Sequence, residues 1–133
     1  MIVIDASGQV LGRLASEVSK LLLSGEAVNV INAEKAVVVG KPEMVLGEFK
    51  QKRARGDPYH GPFYPRVPDR VIKRTVRGML PYKTPRGMEA FKRLKVFISI
   101  PSEFSGKDVT VLKGTADKGE QKSITLGEIA ERI

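Results

Sequence analysis

A chain of 133 residues with 23 Lys/Arg against 15 Asp/Glu carries a formal charge of +8, which points to a polyanionic partner, either nucleic acid or an anionic membrane. It has no cysteine, which excludes a disulfide framework, a zinc ribbon and a thiol nucleophile. Its 41% apolar and 29% charged residues are ordinary globular values, and no apolar run approaches the roughly 18 residues of a membrane span. The opening MIVIDASGQ lacks a basic segment followed by an apolar one, so no signal peptide is expected and an intracellular, cytoplasmic protein is.

Taken in order, residues 2–5 form a short β-branched run that reads as a first strand. Ser7-Gly8 turns the chain into a helix over 10–23, whose apolar face is Leu11, Leu14, Ala15, Val18, Leu21 and Leu22. Gly25 follows as a natural C-terminal cap. Residues 27–31 and 36–39 are continuous apolar runs, the pattern of strands covered on both faces. Strand, helix and strand with short connections predict a parallel βαβ unit. Pro42 opens a second helix with Val45, Leu46 and Phe49 inward, which runs out in the basic tail 50–55.

Residues 56–68 contain four prolines and two glycines and read as an extended or turn-rich loop carrying Tyr59, His60, Phe63 and Tyr64. A third helix is expected from Asp69, as its N-cap, to a stop at Pro81. At 100° per residue, Arg70, Lys73, Arg74 and Arg77 share one face, while Ile72, Val76, Met79 and Leu80 lie roughly opposite. Thr84-Pro85 caps a short helix to about Leu94, and residues 95–100 make a fourth strand ended by Pro101. In the less regular segment 101–133, residues 109–112 suit a strand or an extended arm and 114–121 are polar. Residues 124–133 suit a short helix capped by Thr125, with Leu126, Ile129, Ala130 and Ile133 apolar. No repeat or linker divides the chain, so a single domain over 1–133 is expected.

The charge is segregated. Residues 50–95 hold 14 Lys/Arg against 3 Asp/Glu, leaving 9 and 12 for the rest of the chain. Solvated helices usually alternate signs, whereas four cations on one nearly acid-free face repel one another. A polyanion would remove that cost. Arginine predominates in the cluster, and its planar fork suits phosphate. Rings that can stack on unpaired bases lie just upstream. These features favour a nucleic-acid surface without distinguishing RNA from DNA.

Enzyme alternatives are weaker. The turn at 7–12 follows a strand and precedes a helix but does not match G-x-G-x-x-G. Gly40-Lys41 lacks the Ser/Thr and the upstream glycine of a phosphate loop. A small enzyme holding a phosphorylated substrate at these two turns is the competing reading. His60, the one histidine, has neither the company a zinc site needs nor a G-x-S-x-G near it, so no metal site is expected. Asp5 is placed to cap the first turn or to pair with Arg13. A membrane-surface role lacks a helix with large apolar anchors beside a lysine-rich face.

Two segments carry a family resemblance. Asp5-Ala6-Ser7-Gly8-Gln9-Val10-Leu11-Gly12-Arg13-Leu14-Ala15-Ser16 resembles the opening signature of the large-subunit ribosomal protein family numbered thirteen. Val76-Arg77-Gly78-Met79-Leu80-Pro81, Arg86-Gly87 and Leu94-Lys95-Val96-Phe97 resemble its central signature. The short 23–28 connection and the Arg-Gly-Asp-Pro…Gly-Pro-Phe loop are similar to its archaeal and eukaryotic branch. The resemblance implies an α/β fold, three-layer α/β/α with a four-stranded mainly parallel sheet. It also implies a structural constituent of the large ribosomal subunit, without enzymatic activity or cofactor. Such a protein binds large-subunit rRNA beside neighbouring large-subunit ribosomal proteins, supports subunit assembly and translation, and has no small-molecule substrate. Candidate RNA-binding residues are Lys52, Arg53, Arg55, Tyr59, His60, Tyr64, Arg66, Arg70, Lys73, Arg74, Arg77, Lys83, Arg86 and Arg93.

Overall fold

The structure, a computed structural model, describes residues 2–56, 59–61, 64–104, 109 and 122–132. Its elements run β1 (Ile2–Asp5), α1 (Leu11–Leu23), β2 (Val28–Ile31), β3 (Val37–Val39), α2 (Pro42–Ala54), α3 (Pro68–Met79), α4 (Pro85–Lys92), β4 (Leu94–Val96), β5 (Ser123–Thr125) and α5 (Leu126–Arg132). Short 3-10 turns occupy Ala33–Lys35 and Ser102–Phe104. Apart from Val109, the expected strand or arm at 109–112 and the polar stretch 114–121 lie outside the described residues.

The βαβ unit forms as the periodicities predict. β1 and β2 are parallel, with Ile2 opposite Val28 and Asp5 opposite Ile31, and β4 adds in parallel on the other edge of β2. α1 buries Leu11, Leu14, Ala15, Val18 and Leu22, and Leu21 is half-buried. At its end, Gly25 takes φ 101°, a conformation that side chains with a Cβ disfavour. This lets the Gly25 N–H reach Leu22 O and the Glu26 N–H reach Leu21 O, both at 3.2 Å.

Alternation along the strands sends Ile4, Val28, Val30, Leu94 and Val96 to one face, where they join Leu14, Val18, Ile72 and Val76 in the main core. α1, α3 and α4 supply the cover of that face. The other face carries a smaller cluster of Val3, Ile31 and Phe104, with Phe97 packed against it. Phe97 and Phe104 lie 5.4 Å apart between ring centroids.

The expected single four-stranded sheet is not what forms. Three strands make the parallel sheet, and β3 leaves it to pair antiparallel with β5, Val37 opposite Thr125 and Val39 opposite Ser123. The reason is connection length. A parallel neighbour needs a crossover of roughly a dozen residues, and only residues 32–36 separate β2 from β3. Asn32, at φ 57°, turns the chain out of the sheet instead. Its N–H bonds Ser99 O at 3.0 Å and that of Ala33 bonds Phe97 O at 3.1 Å, which holds this turn against the chain after β4. α2 and α5 pack about the small β3–β5 sheet and each other, so the described residues do not form a three-layer sandwich on four strands. β4 is shorter than expected, ending at Val96. Ile98 and Ile100 stand exposed beyond it, with Ser99 at φ 60°.

Candidate nucleic-acid interface

α3 is fixed to the core by Val71, Ile72 and Val76, each at most 1% exposed. Pro68 sits in its first turn, where an absent N–H costs nothing. The N-cap is Val67 rather than Asp69, which lies inside the first turn with Oδ1 accepting the Arg70 N–H at 2.9 Å. Met79, expected inward, is the last helical residue and stays 44% exposed; Val71 is buried in its stead, and Leu80 is buried from the extended residue that follows. The cationic face is otherwise as the spacing predicts. Arg70 is exposed, and Lys73, Arg74 and Arg77 are half-buried.

Among the described residues none of these four cations forms an ion pair with a carboxylate; the pair present is Lys20–Glu17 on α1. Aromatic rings lie against three of them instead. Arg77 stacks 4.8 Å from the Tyr82 centroid, Arg74 lies 5.9 Å from that of Tyr64, and Lys73 lies 5.9 Å from that of Phe91. Ring quadrupoles attract cations without neutralising them, so the charge stays available to an anion.

α2 joins this surface because it remains helical through Ala54, ending within the basic tail 50–55 as expected. Its buried Phe49 meets Tyr64 edge-on, centroids 6.0 Å apart at 72°. Lys52, one turn on, places its ammonium 5.2 Å from Phe49 and 5.3 Å from Tyr64. Burial pushes the Tyr64 hydroxyl above its ordinary pKa, with the Arg74 charge acting in the other direction. Tyr64 is therefore a neutral phenol near pH 7.

Three hollows run together over these elements. One of about 500 Å³ is lined by Tyr64, Pro65, Arg66, Val67, Arg70, Lys73, Arg74, Arg77 and Phe91. It shares Tyr64 and Arg74 with a hollow of about 230 Å³ that adds Lys52 and Arg55. It shares Arg77 and Phe91 with a third, of about 410 Å³, that adds Tyr82, Lys83, Met88 and Lys92. The result is one cationic trough with rings set along it.

The trough thus gathers Lys52, Arg55, Tyr64, Arg66, Arg70, Lys73, Arg74, Arg77 and Lys83 of the residues singled out in the sequence. Arg66 is anchored there, its Nε donating to Ala130 O of α5 at 2.6 Å. Arg53, Tyr59, His60 and Arg86 are exposed but do not line these three hollows; Tyr59 is 88% exposed. Phe63, the other ring of that loop, lies outside the described residues. Arg93 sits apart: its Nη2 donates to Leu22 O at 2.6 Å, bracing the last turn of α1, and among the described residues its buried Nε has no hydrogen-bond partner.

Tyr82, Phe91, Met88 and Lys92 were missed in the sequence. Nearness along the chain drew attention to the rings of 56–68, whereas Phe91 reaches Lys73 only because α4 packs beside α3. The available signal was Tyr82 itself, five residues after Arg77.

The competing phosphate-loop turns are occupied internally. Gly8 N–H donates to Lys35 O at 3.1 Å, Gln9 N–H to Ala6 O at 3.0 Å and Gly40 N–H to Lys122 O at 2.7 Å. Asp5 is a turn cap. Its Oδ1 accepts the Ser7 N–H at 2.9 Å and the Asn32 amide at 3.0 Å. Burial raises its carboxyl, but those bonds and the charge of Lys35 outweigh the burial and hold it below its ordinary value. Among the described residues no three His, Cys, Asp or Glu side chains are grouped to hold a metal ion, and no helix is long and apolar enough to cross a membrane.

Comparison with known proteins agrees with the signatures. Residues 1–103 match the profile of the family described as "Ribosomal protein L13". The chain is 46% identical to the large ribosomal subunit protein uL13 of Archaeoglobus fulgidus, over 98% of this chain and 86% of that protein. It is 47% identical to the uL13 of Methanosarcina barkeri, over 100% and 97%, and 49% identical to that of Methanopyrus kandleri, over 98% and 85%.

Proposed function

The chain belongs to the ribosomal protein L13 family, whose members are structural proteins of the large ribosomal subunit rather than enzymes, and from that premise we propose that it binds large-subunit ribosomal RNA through the trough of α2, α3 and α4. The observation that carries this reading is the outer face of α3, where Arg70, Lys73, Arg74 and Arg77 stand together, the last three against rings, and where among the described residues none of the four side chains forms an ion pair. Like charges one turn apart destabilise a helix, and phosphates laid along the face convert that repulsion into charge-assisted hydrogen bonds. Lys52 and Arg55 extend the cationic path at one end, Lys83 and Lys92 at the other. Held this way, the chain ties RNA segments to a rigid α/β body, supports assembly of the subunit and lies beside other large-subunit proteins.

A salt titration of the purified chain on large-subunit ribosomal RNA tests the proposal. With about six to eight phosphates neutralised, log K is expected to fall with log[salt] at a slope of roughly −4 to −7. A slope near zero would overturn it.

A further inference from the structure

Resting on that rRNA-binding reading, we infer that the hollow between the turn at 81–84 and α4 receives one unstacked nucleobase of the bound RNA. The trough divides by chemistry. Its central part sets Arg66, Arg70, Lys73 and Arg74, groups suited to phosphate, beside Tyr64, Pro65 and Val67. The neighbouring hollow has Tyr82, Met88 and Phe91 as its walls and Arg77, Lys83 and Lys92 at its rim. Tyr82 is 38% and Met88 50% exposed, so two large apolar side chains face solvent beside a polyanion site. A nucleotide presents the same pair of surfaces, an anionic phosphate and a flat apolar face. The two hollows share Arg77 and Phe91, which places the two kinds of recognition next to each other.

The slot is also prearranged. Arg77 stacked on Tyr82 at 4.8 Å holds the ring. The turn beneath is closed by Tyr82 N–H to Leu80 O at 2.8 Å, Thr84 N–H to Pro81 O at 3.0 Å and Thr84 Oγ1–H to Pro81 O at 2.7 Å. A ring fixed before binding loses little conformational freedom when a base stacks on it. A base in a duplex cannot enter, so the occupant is a looped, bulged or single-stranded nucleotide. The cationic rim favours a nucleotide over an apolar side chain of a neighbouring protein, which would leave Lys83, Lys92 and Arg77 without a counter-charge.

The test uses the full chain and two probes of equal length and charge, a dodecamer of adenylate and an abasic ribose-phosphate dodecamer, followed by fluorescence anisotropy at fixed salt. The wild-type chain is expected to prefer the adenylate probe. Tyr82→Ala should lower affinity for that probe by roughly 5- to 100-fold, the range expected for loss of one base–aromatic stack. It should leave abasic binding unchanged, and Tyr82→Phe should retain the preference. Equal wild-type affinity for both probes, with binding intact, would overturn the base slot alone, and so would a Tyr82→Ala variant that loses nothing or weakens both probes alike. Failure of the wild-type chain to bind either probe would contradict the RNA-binding reading itself.

Discussion

Changing Arg74 and Arg77 together to glutamate is expected to lower affinity for large-subunit ribosomal RNA by about a hundredfold or more near 0.1 M salt, and to flatten the salt slope by roughly 1.5–2. The two guanidinium groups occupy the middle of the trough, and Arg74 and Arg77 each line two of its hollows. Each lost phosphate contact removes about one unit of counterion release, and each carboxylate adds repulsion. The fold should survive, because α3 is fixed by Val71, Ile72 and Val76 on its other side. A charge-matched control, Lys20→Glu with Lys41→Glu, makes the same change in net charge away from the trough and should cost far less. Equal losses for the two pairs, measured by anisotropy across a salt series, would mean that net charge and not this face governs binding.

Gly87→Ala is expected to destabilise the chain by about 3 kcal/mol or more, the upper end of overpacking costs. A Cβ at Gly87 would overlap the carbonyl of Pro81 and crowd the backbone nitrogen of Tyr82. Neither is a flexible side-chain end that can swing aside. Gly87 also donates its N–H to Thr84 Oγ1 at 3.2 Å, the cap that starts α4, so relieving the overlap means moving the helix off its turn. Tyr82, Lys83 and Met88 would move with it. Binding to RNA should therefore weaken without any cation being lost. Gly78→Ala is the informative contrast. It follows an arginine just as Gly87 does, yet a Cβ there meets nothing within 4 Å. Alanine should be tolerated there, or should stabilise by up to about 1 kcal/mol through helix propensity. Urea unfolding of the two variants separates the cases, and equal midpoints would contradict the close approach at Gly87.

That pair of glycines also marks what a sequence conveys. Arg77-Gly78 and Arg86-Gly87 read alike, and only the packing of α4 on the turn at 81–84 makes one of them indispensable. Periodicity was a good guide where an element's own residues decide its outcome. It placed α1 and the cationic face of α3, because a burial pattern with a period of 3.6 is local, while the parallel β1–β2 pair followed from the order strand, helix, strand. Thr84 and Thr125 were legible as caps for the same reason; their hydroxyls accept N–H groups three residues on.

Partner choice was not legible. β3 carries a buried-strand pattern, but nothing in Val37–Val39 says that its neighbour is Ser123–Thr125, three residues lying more than eighty positions away. Arg93 looked like the other arginines of the cluster. Its fate was set by the end of α1, seventy-one residues earlier. The trough was found by charge, whereas its apolar end was not, because Tyr82 and Phe91 become neighbours of Arg77 and Lys73 only in three dimensions.

Lysine reactivity in the assembled large subunit probes the central claim most directly. Mass-spectrometric acetylation footprints of the free chain and of subunits carrying it should show Lys52, Lys73, Lys83 and Lys92 protected in the subunit and reactive again after nuclease digestion of the RNA. If all four remain as reactive in the intact subunit as in the free chain, the trough is not where this protein meets RNA.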